Sequence, residues 1–379
     1  MLLLISKKMR LIELVSTCLL LSVWSSTVFS IDSSYITPTY VRIISSLYEQ
    51  YNDINPSWSS NGEYISFERY DMQSHKIILS NQSGKTLQTI KAEGKPKDVF
   101  DFLLSSEEDV ISYNMGISWS PEHNEFVFVS SGKSNNFDLY SGNTNSNKSR
   151  RLTFHADKDN QAQWSPVNNN ILFVSAREGH AGLFMIDATS GVITQVLDNT
   201  FDTLHPVWSP DGTRIALMIG VKGLYQIYVI NDLKKPMASL QLVSQYSNHN
   251  IRPSWSPDGT KLAYFSFDIS NSWNISIANI PANKPVMSED TIAHDVIQNS
   301  SRGPTWLPDS INIAYIKNET DSYNPIYIVD TNQKKHSLFL TNTKMNLDLS
   351  CSQSGILAFQ TQVKQWSRIY IAAIPGFNG

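Results

Sequence analysis

Six residues of this 379-residue chain carry side chains suited to holding an ion or an acidic ligand: His155, Asp157, His205, His249, Arg252 and Arg302. Each lies a few residues ahead of a tryptophan, at Trp164, Trp208, Trp255 or Trp306. Neutral imidazole and carboxylate bind divalent cations, so His155, His205 and His249, with Asp157 beside them, form a candidate ligand set. Arg252 and Arg302 suit the neutralisation of a carboxylate by charge-assisted hydrogen bonds. No pair has the close His-x-His or His-Glu-x-x-His spacing that marks a metal centre. The same six residues therefore serve equally as partner-binding side chains at a common mouth, and polar residues are also what any connecting loop contains.

What must position them is a repeat. "PVWSPDGTRIAL" (206–217) returns as "PSWSPDGTKLAY" (253–264), with weaker copies beginning at Pro56, Ile117, Ala162 and Pro304, and a seventh at Leu349 in which Cys351 replaces tryptophan. The anchors Trp58, Trp119, Trp164, Trp208, Trp255, Trp306 and Cys351 are 44 to 61 residues apart. That spacing is close to the roughly 40–50 residues of one β-propeller blade. Within a copy, Ser209-Pro210-Asp211-Gly212 has the residue preferences of a tight turn ending in a left-handed glycine. Short β-branched and aromatic runs follow, "RIALMI" and then "QIYVIN", and read as strands. The expectation is an all-β chain of seven four-stranded antiparallel blades, a six-bladed ring being the alternative count. The large apolar tryptophan would fill the gap between blades. Asp211, Asp258 and Asp309 read as turn residues, Tyr228, Tyr327 and Tyr370 as blade packing, and His180 and His336 fall in expected outer turns.

The ends of the chain test the count. The last copy has its hairpin and "RIYIAA" (368–373) but no fourth strand, while "TYVRII" (39–44) precedes the first copy without a hairpin of its own. Pairing the two closes the ring and removes an exposed edge. Residues 1–30 carry Lys7, Lys8 and Arg10, then an apolar stretch, and end in "VFS", the pattern of a signal peptide cleaved near Ser30. The expected organisation is 1–30 as leader and 31–379 as one propeller domain, with an acidic insertion over 92–113 in the first blade. Removing Lys7, Lys8, Arg10 and Glu13 takes the formal charge from −4 to −6. A mildly acidic chain without a basic cluster argues against nucleic acid as a partner. No later run approaches the length of a membrane span, and Cys351 would be left without an internal disulfide partner. A monomer is expected, in the periplasm or secreted.

The "PxWSPDGxxIA" motif with its following "IYxxD" strand resembles the PD40 (WD40-like) repeat of the TolB propeller proteins, over essentially all of residues 39–379. That resemblance implies a periplasmic scaffold without catalytic activity or cofactor. It also implies docking of an envelope protein or peptide, a peptidoglycan-associated lipoprotein among them, at the channel mouth. The chain differs from TolB in its blade count and in having only about 27 residues between the expected cleavage site and Trp58, too few for the TolB amino-terminal domain. PD40-type propellers also precede prolyl-oligopeptidase-type hydrolases, but no G-x-S-x-G elbow is present, "GISWS" at Gly116 failing the pattern. The alternative is a metal-dependent lyase of the oligogalacturonate type acting on acidic saccharides, with His155, His205 and His249 as its ligands.

Overall fold

The structure is a computed structural model and describes residues 34–377 apart from 48–49, 72–73, 92–115, 123, 132–135, 198–200, 222, 245–248, 282–288, 300 and 321–322. The expected leader and the acidic insertion lie outside the described residues. Among the described residues strands account for the regular structure, with a single 3-10 turn at Met237–Ser239. They form seven antiparallel sheets, one for each copy of the motif. Blade four is representative: an inner strand Thr203–Trp208, then Ile215–Val221, Leu224–Ile230 and an outer Leu240–Leu242, hydrogen-bonded in that order.

The ring closes as the chain ends suggested. Val41, Arg42 and Ile43 pair with Ala372, Ile371 and Tyr370, so an amino-terminal strand supplies the outer edge of blade seven. Thr39 N and Ile44 N donate to Ala373 O and Ile369 O (2.9 and 3.0 Å), bracketing that pairing.

The tryptophans do more than fill space. Each is at most 9 % exposed, and three of them stitch one blade to the next. Trp208 Nε1 donates to Gln163 O (3.3 Å), Trp255 Nε1 to Val207 O (3.3 Å) and Trp306 Nε1 to Ser254 O (3.1 Å). The acceptor is each time the residue just before the preceding blade's tryptophan. A second stitch runs along the turns: the Arg214 guanidinium lies 4.6 Å from the Trp255 ring and its Nη2 donates to Gly259 O (2.7 Å). The turns are built as their residue types require. Asp211 and Asp258 each accept the amide two residues on (3.1 and 3.0 Å), and Gly212 and Gly259 take φ of +66° and +70°. The apolar clusters lie between adjacent blades, for example Trp58, Phe67, Ile369 and Ile371 where blade seven meets blade one.

Two features depart from a simple reading of the repeat. His336 belongs to the fourth strand, Lys335–Phe339, of blade six, not to a turn, and its Nδ1 pairs with Tyr315 OH at 2.9 Å. The inner strand of blade six is also broken: Val296–Ile297 and Thr305–Trp306 both pair with Asn312–Lys317, and the described residues between them, 298–299 and 301–304, carry no strand.

Candidate functional site

Five of the seven inner strands are distorted at one place. In blades one, three, four, five and seven the pairing register slips so that two residues of the inner strand face one of the second strand: 55–56, 161–162, 205–206, 252–253 and 348–349. These are β-bulges, which bend a strand and re-aim a side chain. The first bulge residue is Asn55, Gln161, His205, Arg252 or Asp348, with φ between +47° and +53° in every case. Left-handed backbone is unusual for residues with a Cβ and costs of order 1–3 kcal/mol where it is held by its surroundings. In three of the five bulges proline follows, at Pro56, Pro206 and Pro253; a bulge is among the few places in a sheet where its missing N–H is tolerated. In blades two and six the corresponding residue is a glycine, Gly116 or Gly303.

This position, three residues before each anchor, sets one end of a central cavity of about 540 Å³. Gln161, His205, Arg252 and Arg302 stand at that end, and the walls run past the tryptophans to Ser60, Pro210 and Pro257 in the hairpin turns. The wall combines tryptophan and proline with small polar residues such as Ser57, Ser118, Ser254 and Ser350. The cavity therefore extends from the bulges towards the face that carries the Ser-Pro-Asp-Gly turns. The connections between blades, which precede the inner strands, emerge on the opposite face.

Several polar groups at and around the bulges are paired within the ring. His205 N donates to Gln161 Oε1 (2.6 Å), joining blades four and three. Arg252 Nη1 donates to Gln298 Oε1 (2.5 Å) and Asn299 O (2.6 Å), both from the broken inner strand of blade six. Asn299, itself buried, also donates to Gly303 O (2.9 Å) and accepts Leu349 N (3.1 Å), linking blade six to blade seven. Arg302 Nη1 donates to Pro56 O (2.7 Å), so a residue of blade six reaches past blade seven to blade one. Gly303 permits this packing: a Cβ there would lie 2.4 Å from Arg252 O and 2.7 Å from Ser254 Cβ.

Burial dominates the electrostatics. His205 is 9 % exposed, and burial, followed by the charge of Arg252, holds its imidazole down to about 3. Burial lowers Arg252 to about 10 against the opposing pull of Asp348. Arg302 is lowered by the same cause, opposed by Asp348 and Glu68. Cys351, the seventh anchor, lines the cavity as a free thiol whose ionisation burial pushes up.

Of the six residues singled out by type and spacing, His205, Arg252 and Arg302 line the cavity, whereas His155, Asp157 and His249 are not among its described lining. His155 Nδ1 and Asp157 Oδ2 form a solvent-exposed pair at 3.3 Å in a connection between blades. His249 accepts Tyr225 N (3.3 Å) through Nδ1 and makes edge contacts with Tyr225 and Trp273. The three histidines do not converge, and no group of three or more metal-binding side chains is found among the described residues. The bulge position itself was missed, although its signal is present: three residues before each anchor the chain reads Asn, Gly, Gln, His, Arg, Gly, Asp, never an apolar side chain. A second polar layer sits two residues earlier, where Asp53 and Asp159 are fully buried and pair with Arg69 (2.8 Å) and Arg177 (3.0 Å).

Comparison with known proteins agrees with this architecture. The Tol-Pal system protein TolB of Francisella tularensis is 27 % identical over 221 residues, which are 57 % of this chain and 48 % of that protein. The chain thus matches about half the length of such curated relatives. The crystal structure of TolB from Acinetobacter baumannii superposes with a TM-score of 0.50 at 15 % identity, covering 73 % of this chain and 63 % of that one. An oligogalacturonate lyase from Vibrio parahaemolyticus gives 0.62 at 14 % identity, over 89 % and 94 %. Identities this low speak to the fold alone. No helix among the described residues is long and apolar enough to cross a membrane. The profile of the TolB beta propeller domain, PD40, matches residues 47–236, half of the sequence, and the chain belongs to that family.

Proposed function

We propose that this protein is a non-catalytic binding scaffold of the cell envelope, acting in the periplasm, that docks a protein or peptide at the mouth of its propeller channel. The observation that carries this reading is the cavity, walled by all seven blades and ended by a fixed, asymmetric set of polar side chains. Its groups are poised to hold rather than to react. His205 is neutral across the physiological range, and the Cys351 thiol is held protonated by burial, so neither suits proton transfer or nucleophilic attack near neutral pH. Arg252 and Arg302 are fixed by hydrogen bonds to blades six and one, which gives a preformed surface and limits the ordering cost of binding. The relatives' name, Tol-Pal system protein TolB, supports a protein partner in the envelope.

The lyase reading rests on likeness of fold, and the three imidazoles it requires lie apart here. The test is capture from a solubilised envelope extract with the full chain as bait, alongside metal analysis of the purified protein. A specific partner retained by the parent chain and lost on Arg252→Gln is expected. A stoichiometric divalent ion that disappears in a His205→Ala, His249→Ala double variant would instead favour the metal-dependent enzyme.

A further inference from the structure

At the inner end of the cavity two guanidiniums share one nearby carboxylate, that of Asp348, the bulge residue of blade seven. Arg252 and Arg302 are the ionised side chains of its described lining, and none of those lining residues is Asp or Glu. The carboxylates that act on the two guanidiniums, Asp348 and Glu68, stand outside the lining. Glu68 is engaged by Asn55 Nδ2 (3.4 Å) and His75 Nε2 (3.1 Å). A cation desolvated beside its counter-ion gains more from an incoming anion than one in water does, because the local dielectric is low.

The two arginines are not equivalent. Arg302 extends to Pro56 O and ties blade six to blade one. Arg252 makes both of its side-chain hydrogen bonds through Nη1, while its Nε is buried without a partner. An N–H so placed is unfavourable until an acceptor reaches it. The two Nη1 hydrogen bonds hold the guanidinium in place. Its backbone is fixed in the left-handed bulge at φ +53°, and Gly303 packs directly against its carbonyl. Between this donor and the turn face, the wall alternates tryptophan and proline with small polar side chains such as Ser57, Ser118, Ser254 and Thr305. The shape and chemistry thus suit an uncharged stem with an anionic tip.

We propose that the docked segment enters from the face of the Ser-Pro-Asp-Gly turns and that its tip is a carboxylate received by Arg252. The inference rests on the scaffold reading above and names its ligand chemistry. A peptide carboxylate has two sources, a chain terminus or a Glu or Asp side chain, and the test separates them. Calorimetric titration of the full chain uses acetyl-Leu-Ala-Leu with a free or an amidated terminus, and acetyl-Leu-Glu-Leu-amide against its Gln counterpart. At least one acid is expected to bind about ten- to a hundredfold more tightly than its neutral twin, and the winning pair identifies the source. Arg252→Gln should abolish that preference and Arg252→Lys should keep part of it.

Should Arg252→Gln fail to fold, Asp348→Asn carries the test. Removing the neighbouring anion should raise the preference for the acid by about severalfold, whereas an unchanged preference overturns the proposal. Equal affinity for acid and amide, or no measurable binding of any of the four peptides, also overturns it. If envelope capture succeeds while the peptides show no preference, the carboxylate inference fails alone; if capture fails as well, the scaffold reading fails with it.

Discussion

Blades five and six begin from nearly the same motif, "PSWSPDGTKLAY" and "PTWLPDSINIAY", yet they serve different ends. The inner strand of blade five, His249–Trp255, runs unbroken apart from its bulge, and its tryptophan bonds to blade four. That of blade six is interrupted between Ile297 and Thr305. The released segment grips Arg252 through Gln298 and Asn299, caps Leu349 N, and sends Arg302 to blade one. The regular copy presents Arg252 from its bulge, and the irregular one supplies the groups that hold it together with the second guanidinium, Arg302. A repeat that must pair with its neighbours has little freedom to specialise, whereas backbone released from the sheet can present its polar groups to the channel.

The largest effect expected from this contrast concerns the regular part. Trp255→Ala should cost about 3–5 kcal/mol in urea unfolding, because it leaves a void between blades five and four and removes the bond to Val207 O. The same change at Trp306 removes the equivalent bond to Ser254 O but lies beside an already irregular segment. A smaller loss there would sharpen the distinction, and an equal loss would weaken it.

The next effect is a pH dependence arising at the centre. His205 titrates near 3 when folded and near its ordinary 6.5 when unfolded, so the unfolded chain binds the extra proton between those values. Stability should therefore fall as pH drops through 6.5 towards 3, by up to about 4 kcal/mol. His205→Gln should flatten that part of the profile, seen as the difference between the two proteins' unfolding midpoints across pH 3–7. Profiles that superpose would show that the imidazole is not held neutral by its surroundings.

Glycines give a third comparison. Gly303→Ala places a methyl against Arg252 O, where only backbone movement can relieve it, and should cost about 1–3 kcal/mol while weakening ligand capture. Gly259→Ala disturbs only a turn with φ +70° and should cost about 1 kcal/mol with capture intact. The smallest change is expected for Asp258→Ala, which removes an acceptor for Thr260 N (3.0 Å) at an exposed turn, about 0.5–1.5 kcal/mol. Thermal melts beside capture assays check both pairs.

The ring was legible in the sequence because a turn and a large buried residue must recur wherever the same sheet is built again. The unpaired ends were equally informative, since "TYVRII" had nowhere else to bond. The centre was legible only in part. Arg252, Arg302 and His205 emerged from their residue types, but His155, Asp157 and His249 were grouped with them by proximity to a tryptophan along the chain. That distance does not tell which end of the inner strand a side chain occupies, and the cavity runs from the bulges to the turns, away from the connections that hold His155 and Asp157. The bulges escaped notice because a single extra residue leaves the hairpin pattern on either side intact. The break in blade six was hidden for a related reason: the motif's visible residues begin at Pro304, after the departure has ended.

Two faces compete for any partner. The face of the connections between blades exposes Phe154, Phe201 and Ile269, of which Phe154 is 73 % exposed. The opposite face opens on the cavity through the Ser-Pro-Asp-Gly turns. Hydrogen–deuterium exchange on the chain with its captured envelope partner decides between them. Docking at the cavity should add protection over 252–257 and 301–306 and leave 153–157 and 268–272 unchanged; protection of the latter segments alone would place the partner on the opposite face and rule the cavity out.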